Sequence, residues 1–166
     1  MSRTIPDPGF PDDDGSADPA VTAALTAFDT GTGEYVAALA AVQASRLLVP
    51  VVAVLGEVEV DDDGLAHDKT SDMAAVLMAR PDGRRGLLAF TSAQALAAWD
   101  PGARPVPVST ATAAQAALQQ QADAVVIDVA GPVRFVVQGE DLQGLAARWH
   151  LTRVGERSAW IRPSPE

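Results

Sequence analysis

The apolar residues of this chain fall in short runs, and that spacing limits the folds open to it. Leu47–Leu55, Met73–Ala79, Gly86–Phe90, Val106–Val108, Ala124–Val129 and Val133–Val137 are separated by turn residues or alanine-rich stretches. Runs of this length, rich in Val, Ile and Leu, read as strands. None approaches the roughly 20 apolar residues a membrane-spanning helix needs. Between the runs lie helical patterns. Asp18-Pro19 offers an N-cap followed by proline at the first helical position, and Val21, Leu25 and Phe28 follow on one side. Gly31-Thr32-Gly33 breaks that helix, and Val36, Leu39, Ala40 and Gln43 define a second over 34–45. Thr91-Ser92-Ala93-Gln94 fits a capping box opening a third helix that reaches Trp99. Thr112 with Gln115 opens a fourth ending at Gln121. Leu142, Leu145, Ala146 and Trp149 repeat at helical spacing in a fifth over 140–150.

Pro81-Asp82-Gly83 joins two strands as a hairpin, Gly131-Pro132 turns between two more, and Ser158–Ile161 is a further short strand. Hairpins among helices predict an α/β (α+β) fold, a mixed sheet of about five to six strands flanked by helices in one domain over 18–162. Pro50 cannot donate to a sheet ladder, which predicts an edge position or a bulge at that point. Residues 1–17, rich in Pro, Asp and Gly, predict a disordered acidic arm.

Charge narrows the partners. The formal net charge is −10, Lys69 is the only lysine, and the arginines are scattered along the chain. Nucleic acid and anionic membrane are therefore not expected partners. The chain has no cysteine, which removes thiolate nucleophiles, disulfides and cysteine-based zinc sites together. Met1–Pro19 has no apolar stretch of the signal-peptide kind, and a cytoplasmic protein is the expectation.

Each motif that could carry chemistry lacks a part. Gly31-Thr32-Gly33 follows a helix rather than a strand, and Val36 stands where a dinucleotide loop has Gly or Ala. Asp61–Asp72 has the length of a calcium loop, but Leu65 and Ala66 occupy its fifth and sixth positions. His67 and His150 have no metal-ligand spacing, so neither a metal nor any other cofactor is expected. His150 is placed at a helix end, where a cation is favoured. Ser92 and Ser109 follow strands, which suits helix N-caps. Asp128, at the end of a buried strand, is the carboxylate of most interest. Ligands of α/β sheets bind at strand ends, and Thr91 and Ser92 end a neighbouring run. The structural alternative has Asp128 capping the Gly131-Pro132 turn. Trp160 is a candidate interface residue, whereas Trp99 and Trp149 are expected in the core.

Taken in order, these segments resemble the SseB-type (enhanced serine sensitivity) N-terminal domain. The resemblance rests on Arg46–Val51, on Gly86–Ser92 with Leu96 and Trp99, on Ala124–Asp128 through Gly131-Pro132, and on Leu142 and Leu145. Asp128 departs from it, since the family pattern leads one to expect Asn there. The resemblance implies an α/β domain without established catalytic residues. The resulting expectation is a non-catalytic protein-interaction or regulatory module with a protein partner. The alternative is a small-molecule binder or enzyme of amino-acid metabolism, using a pocket near Asp128, Thr91 and Ser92. Oligomeric state is left open.

Overall fold

A computed structural model describes residues 10–54, 59–60, 66–67 and 72–164. The order is α1 (Pro19–Asp29), α2 (Tyr35–Gln43), β1 (Arg46–Val54), β2 (Glu59–Val60), β3 (Ala66–His67), β4 (Asp72–Ala75), β5 (Leu77–Ala79), β6 (Arg85–Ala89), α3 (Ala93–Trp99), β7 (Arg104–Ser109), α4 (Thr110–Gln119), β8 (Ala124–Ile127), β9 (Phe135–Gln138), α5 (Gly139–Ala146), β10 (His150–Val154) and β11 (Arg157–Ile161). Strands pair in the orders β4-β1-β7 and β5-β6-β8-β9, with β2-β3 and β10-β11 as separate hairpins. Only β6 and β8 run parallel; the other described pairs are antiparallel. The two larger sheets are joined. Leu48 and Phe90 exchange both backbone hydrogen bonds (2.7 and 2.8 Å), and the Val76 carbonyl between β4 and β5 accepts from Leu88 N–H (3.0 Å). The mixed sheet flanked by helices expected of an α+β fold is what forms.

β1 lies between β4 and β7, so Pro50 sits in a central strand and not at an edge. The register explains how. Leu48 directs its backbone groups to Phe90, away from β7, which makes Leu48↔Pro107 a non-hydrogen-bonded pair. Two residues on, Pro50↔Pro105 is another. No bond between β1 and β7 is lost at any of the three prolines. On its other side Pro50 falls between the Leu48–Phe90 bridge and the Val51↔Ala75 pair.

The main core lies on one face of β6, β8 and β9, where Leu87, Ala89, Val125, Ile127, Phe135 and Val137 meet apolar residues of α1, α2, α4 and α5. Tyr35 stacks on Phe135 at 5.4 Å between centroids, and Phe28 meets the same ring edge-on at 5.7 Å. A smaller cluster lies on the opposite face, where Ala95 and Leu96 of α3 cover Leu48, Leu88, Phe90 and part of Val126. Trp99 packs there, 5.7 Å from Phe90, as expected of a core residue.

Three helices end in the same way. Gly31 (φ +80), Gln121 (φ +58) and Arg148 (φ +58) take left-handed conformations. The following N–H groups of Thr32, Ala122 and Trp149 then return to Ala27, Ala117 and Gly144. α5 therefore stops at Ala146, and the helix expected to reach residue 150 is four residues shorter. Trp149 lies beyond it, half-buried under the Arg162 guanidinium at 4.5 Å, and not in the core. His150 opens β10 instead of closing a helix. α4 begins at Thr110, with Ser109 as its cap in place of the expected Thr112.

Candidate functional site

β6 and β8 are parallel neighbours, so the residues just past them, Thr91 and Asp128, come together. Asp128 N–H still bonds the Ala89 carbonyl (3.0 Å), and a left-handed backbone (φ +53) then turns the residue out of the strand. Its carboxylate, 1% exposed, accepts from Thr91 N–H (2.8 Å) and Thr91 Oγ1–H (2.7 Å). Burial pushes its pKa above the ordinary carboxylate value, and the two Thr91 bonds pull against that rise. Asp128 serves the Gly131-Pro132 turn through its backbone carbonyl, which accepts from Gly131 N–H at 2.9 Å, not through its carboxylate. The carboxylate ties the ends of two strands together.

Arg46 extends the tie. Its guanidinium donates to the Thr91 carbonyl, to the Ser16 carbonyl (2.6 Å) and to both Asp13 oxygens. The hydrogen bond from Arg46 holds Asp13 below the usual carboxylate range. The Gly15 carbonyl accepts from Ala93 N–H at 2.7 Å, at the entrance to α3. Residues 10–17, expected in a disordered arm, are thus held against β1 and α3. The rest of that arm, residues 1–9, lies outside the described residues.

A cleft of about 370 Å³ adjoins these strand ends, lined by Ala17, Thr22, Thr91, Ser92, Gln94 and Pro132 among others. Thr91 and Ser92 both line it, but Asp128 does not. The Thr91 hydroxyl is engaged by Asp128, and Ser92 Oγ accepts from Ala95 N–H (3.0 Å) as the N-cap of α3. Ser92, and not Thr91, therefore caps that helix. Ser109 Oγ likewise accepts from Thr112 N–H (3.1 Å).

Trp160 is half-buried and packs on α5 over Gly144, where a Cβ would overlap its ring. Its Nε1–H donates to Asp141 Oδ1 (2.9 Å), which also accepts from Ser158 (2.7 Å), while Tyr35 donates to Asp141 Oδ2 (2.9 Å). These contacts dock the β10-β11 hairpin on α5. Burial and the bond to Asp141 raise the Tyr35 pKa, so the phenol stays protonated. Residues 61–65 and 68–71 of the calcium-length loop, and the His67 side chain, lie outside the described residues; Ala66–His67 form β3 and Asp72 opens β4. Among the described residues no group of three or more His, Asp or Glu converges on a point, and no helix is long and apolar enough to cross a membrane.

Sequence reasoning missed a groove of about 310 Å³ on the outer face of the four-stranded sheet. The registers align Met78, Gly86, Ala124 and Gln138 across all four strands, with Val126 and Val136 in the next row. Arg80, Arg84, Arg85, Arg134 and Asp123 complete the lining. Arginines that look scattered in the sequence are gathered here by the fold. The Pro81-Asp82-Gly83 hairpin and the alternation Arg134, Val136, Gln138 were the available signals.

The family model of the SseB protein N-terminal domain matches residues 21–144. No match is found among curated proteins or among solved structures.

Proposed function

The chain belongs to the SseB protein N-terminal domain family, and from that premise we propose that it acts as a non-catalytic protein-interaction or regulatory module in the cytoplasm. One observation carries the reading. α3 covers only part of the outer face of the four-stranded sheet, and Val136, on the edge strand β9, is 38% exposed in a groove that Met78 of the opposite edge strand and the arginines also line. An apolar strip with a charged rim suits a protein contact. The strand-end cleft supports the enzyme reading less well, because the hydroxyls of Thr91 and Ser92 and the carboxylate of Asp128 are engaged in internal hydrogen bonds.

Photo-crosslinking tests the reading. A photoreactive residue is placed at Val136, and a control at Leu118, which is 41% exposed on α4. The expected result in cells is a discrete protein adduct from position 136 that is absent from 118. Identical adduct patterns from the two positions would defeat it.

A further inference from the structure

The lining of the open sheet face says what kind of segment it takes. Three of the chain's twelve basic residues, Arg80, Arg84 and Arg134, face this one groove, and Arg85 borders it, on a molecule whose net charge is −10. Arg84 donates to Gln138 Oε1 (2.9 Å), a neutral acceptor that leaves its charge in place. Arg85 alternates with Gly86 along β6, so its guanidinium crosses to the α4 side, where it donates to the Gln120 and Gln121 carbonyls (3.4 Å each). Asp123, the carboxylate in the lining, accepts from the Arg85 backbone N–H (2.9 Å). The three cations on the groove side, Arg80, Arg84 and Arg134, are arginines, whose planar forks match carboxylates in pairs of hydrogen bonds.

The floor is shaped for a side chain. Gly86 and Ala124 face each other across β6 and β8, and the space above them is bounded by Met78, Val126 and Val136. A Cβ at Gly86 would lie 2.7 Å from Val126 Cγ2, so glycine is what allows the floor to be both low and closed. A volume of about 310 Å³ is at the small end of ligand sites. It accommodates a side chain or two, not a domain. Long polyanions meet the acidic remainder of the surface as well as the groove. A short acidic segment is different, because fields are screened beyond roughly 8–10 Å and such a segment responds mainly to the nearby arginines.

We propose that this groove binds an acidic peptide segment of a partner protein, one apolar side chain seated on the Gly86–Ala124 floor and flanking carboxylates paired with Arg80, Arg84 and Arg134. The inference rests on the reading of the open face as a docking surface and adds the chemistry of its occupant.

The test is fluorescence anisotropy with a labelled peptide carrying Leu between pairs of Glu. Controls are the same peptide with Gln for Glu, the same with Gly for Leu, and inorganic phosphate as competitor. The expected result is saturable binding, weakened by salt, by either peptide change and about three- to tenfold by Arg84→Ala with Arg134→Ala. Val136→Glu, a second variant at an exposed position, should abolish it, and Ser92→Ala should leave it unchanged. Equal binding of the Gln peptide overturns the charge assignment. Equal binding of the Gly peptide, with phosphate displacing it fully, marks a simple anion site and overturns the peptide proposal. No binding at all overturns it too. A discrete crosslink from position 136 in that case leaves the interaction module standing with a partner of different chemistry.

Discussion

Replacing Asp128 separates a structural tie from a reactive carboxylate. Asp128→Ala removes acceptors from Thr91 N–H and Oγ1–H, both in a buried setting. Hydrogen bonds to a charged group contribute about 1.5–3 kcal/mol each. An alanine held at φ +53 adds about 1–2 kcal/mol of backbone cost. Releasing the desolvated charge returns part of this, leaving a net loss of about 3–5 kcal/mol, the range found when one partner of a buried polar pair is removed. That is a large share of the ~5–15 kcal/mol that stabilises a typical domain. Asp128→Asn behaves differently. Its Oδ1 accepts from Thr91 N–H, its Nδ2–H donates to Thr91 Oγ1, and asparagine tolerates the left-handed backbone. Its stability should fall within about 1 kcal/mol of the native chain or exceed it. The pH dependence has a definite sign. The folded pKa of Asp128 is raised, so its favourable contribution is complete below the unfolded value of about 3.9 and is lost as pH rises through the folded value. Against the non-titrating Asn variant, the native chain should therefore lose relative stability as pH climbs from about 4. Urea denaturation at a series of pH values measures all three chains. An Ala variant costing under about 1 kcal/mol, or an Asn variant as unstable as the Ala variant, would refute the two-bond reasoning.

Other perturbations probe other contacts. Arg46→Ala should free residues 10–17, seen as new protease cleavage there, and cost about 1.5–3 kcal/mol. It should also remove a pH dependence from Asp13, whose lowered pKa gives stability that is present above about pH 3.9 and lost as pH falls through the folded value. Gly144→Ala should lift the β10-β11 hairpin off α5, because a Cβ there overlaps Trp160; a red-shifted tryptophan emission and a loss of about 1–3 kcal/mol are expected. Ser92→Ala and Ser109→Ala each remove a helix cap and should cost about 1 kcal/mol in thermal unfolding, additively because the caps serve different helices.

The elements legible in the sequence are those signalled by local chemistry. Asp18-Pro19 caps α1 as read, with the Asp18 side chain accepting from Ala20 N–H, and Gly31 ends it in the left-handed conformation that glycine favours. The same motif at Gln121 and Arg148 carries no glycine. Nothing local marks it, so the apolar period continuing to Trp149 extended the expected helix too far. Pro50 was misread for a related reason: whether a proline costs a ladder bond depends on which side of the strand its nitrogen faces, and that is set by Phe90, forty residues away in the chain. Asp128 and Thr91 do lie together, since strand ends meet in a parallel pair. What joins them is a contact across 37 residues, beyond local reading. The arginine groove has local signals in the Pro81-Asp82-Gly83 hairpin and in the alternation Arg134, Val136, Gln138, but their meeting depends on the order of four strands.

The prolines of β7 bear on how copies of this protein meet one another. Pro105 and Pro107 direct their nitrogens away from β1, and β7 ends its sheet. A strand from a second molecule laid along that border would find no N–H at two alternate positions where an extended backbone places its carbonyls. Fibre-like growth through this border is therefore disfavoured by the covalent structure of the chain itself, at any pH or salt concentration. Crowding in the cell raises the frequency of such encounters without supplying the missing donors.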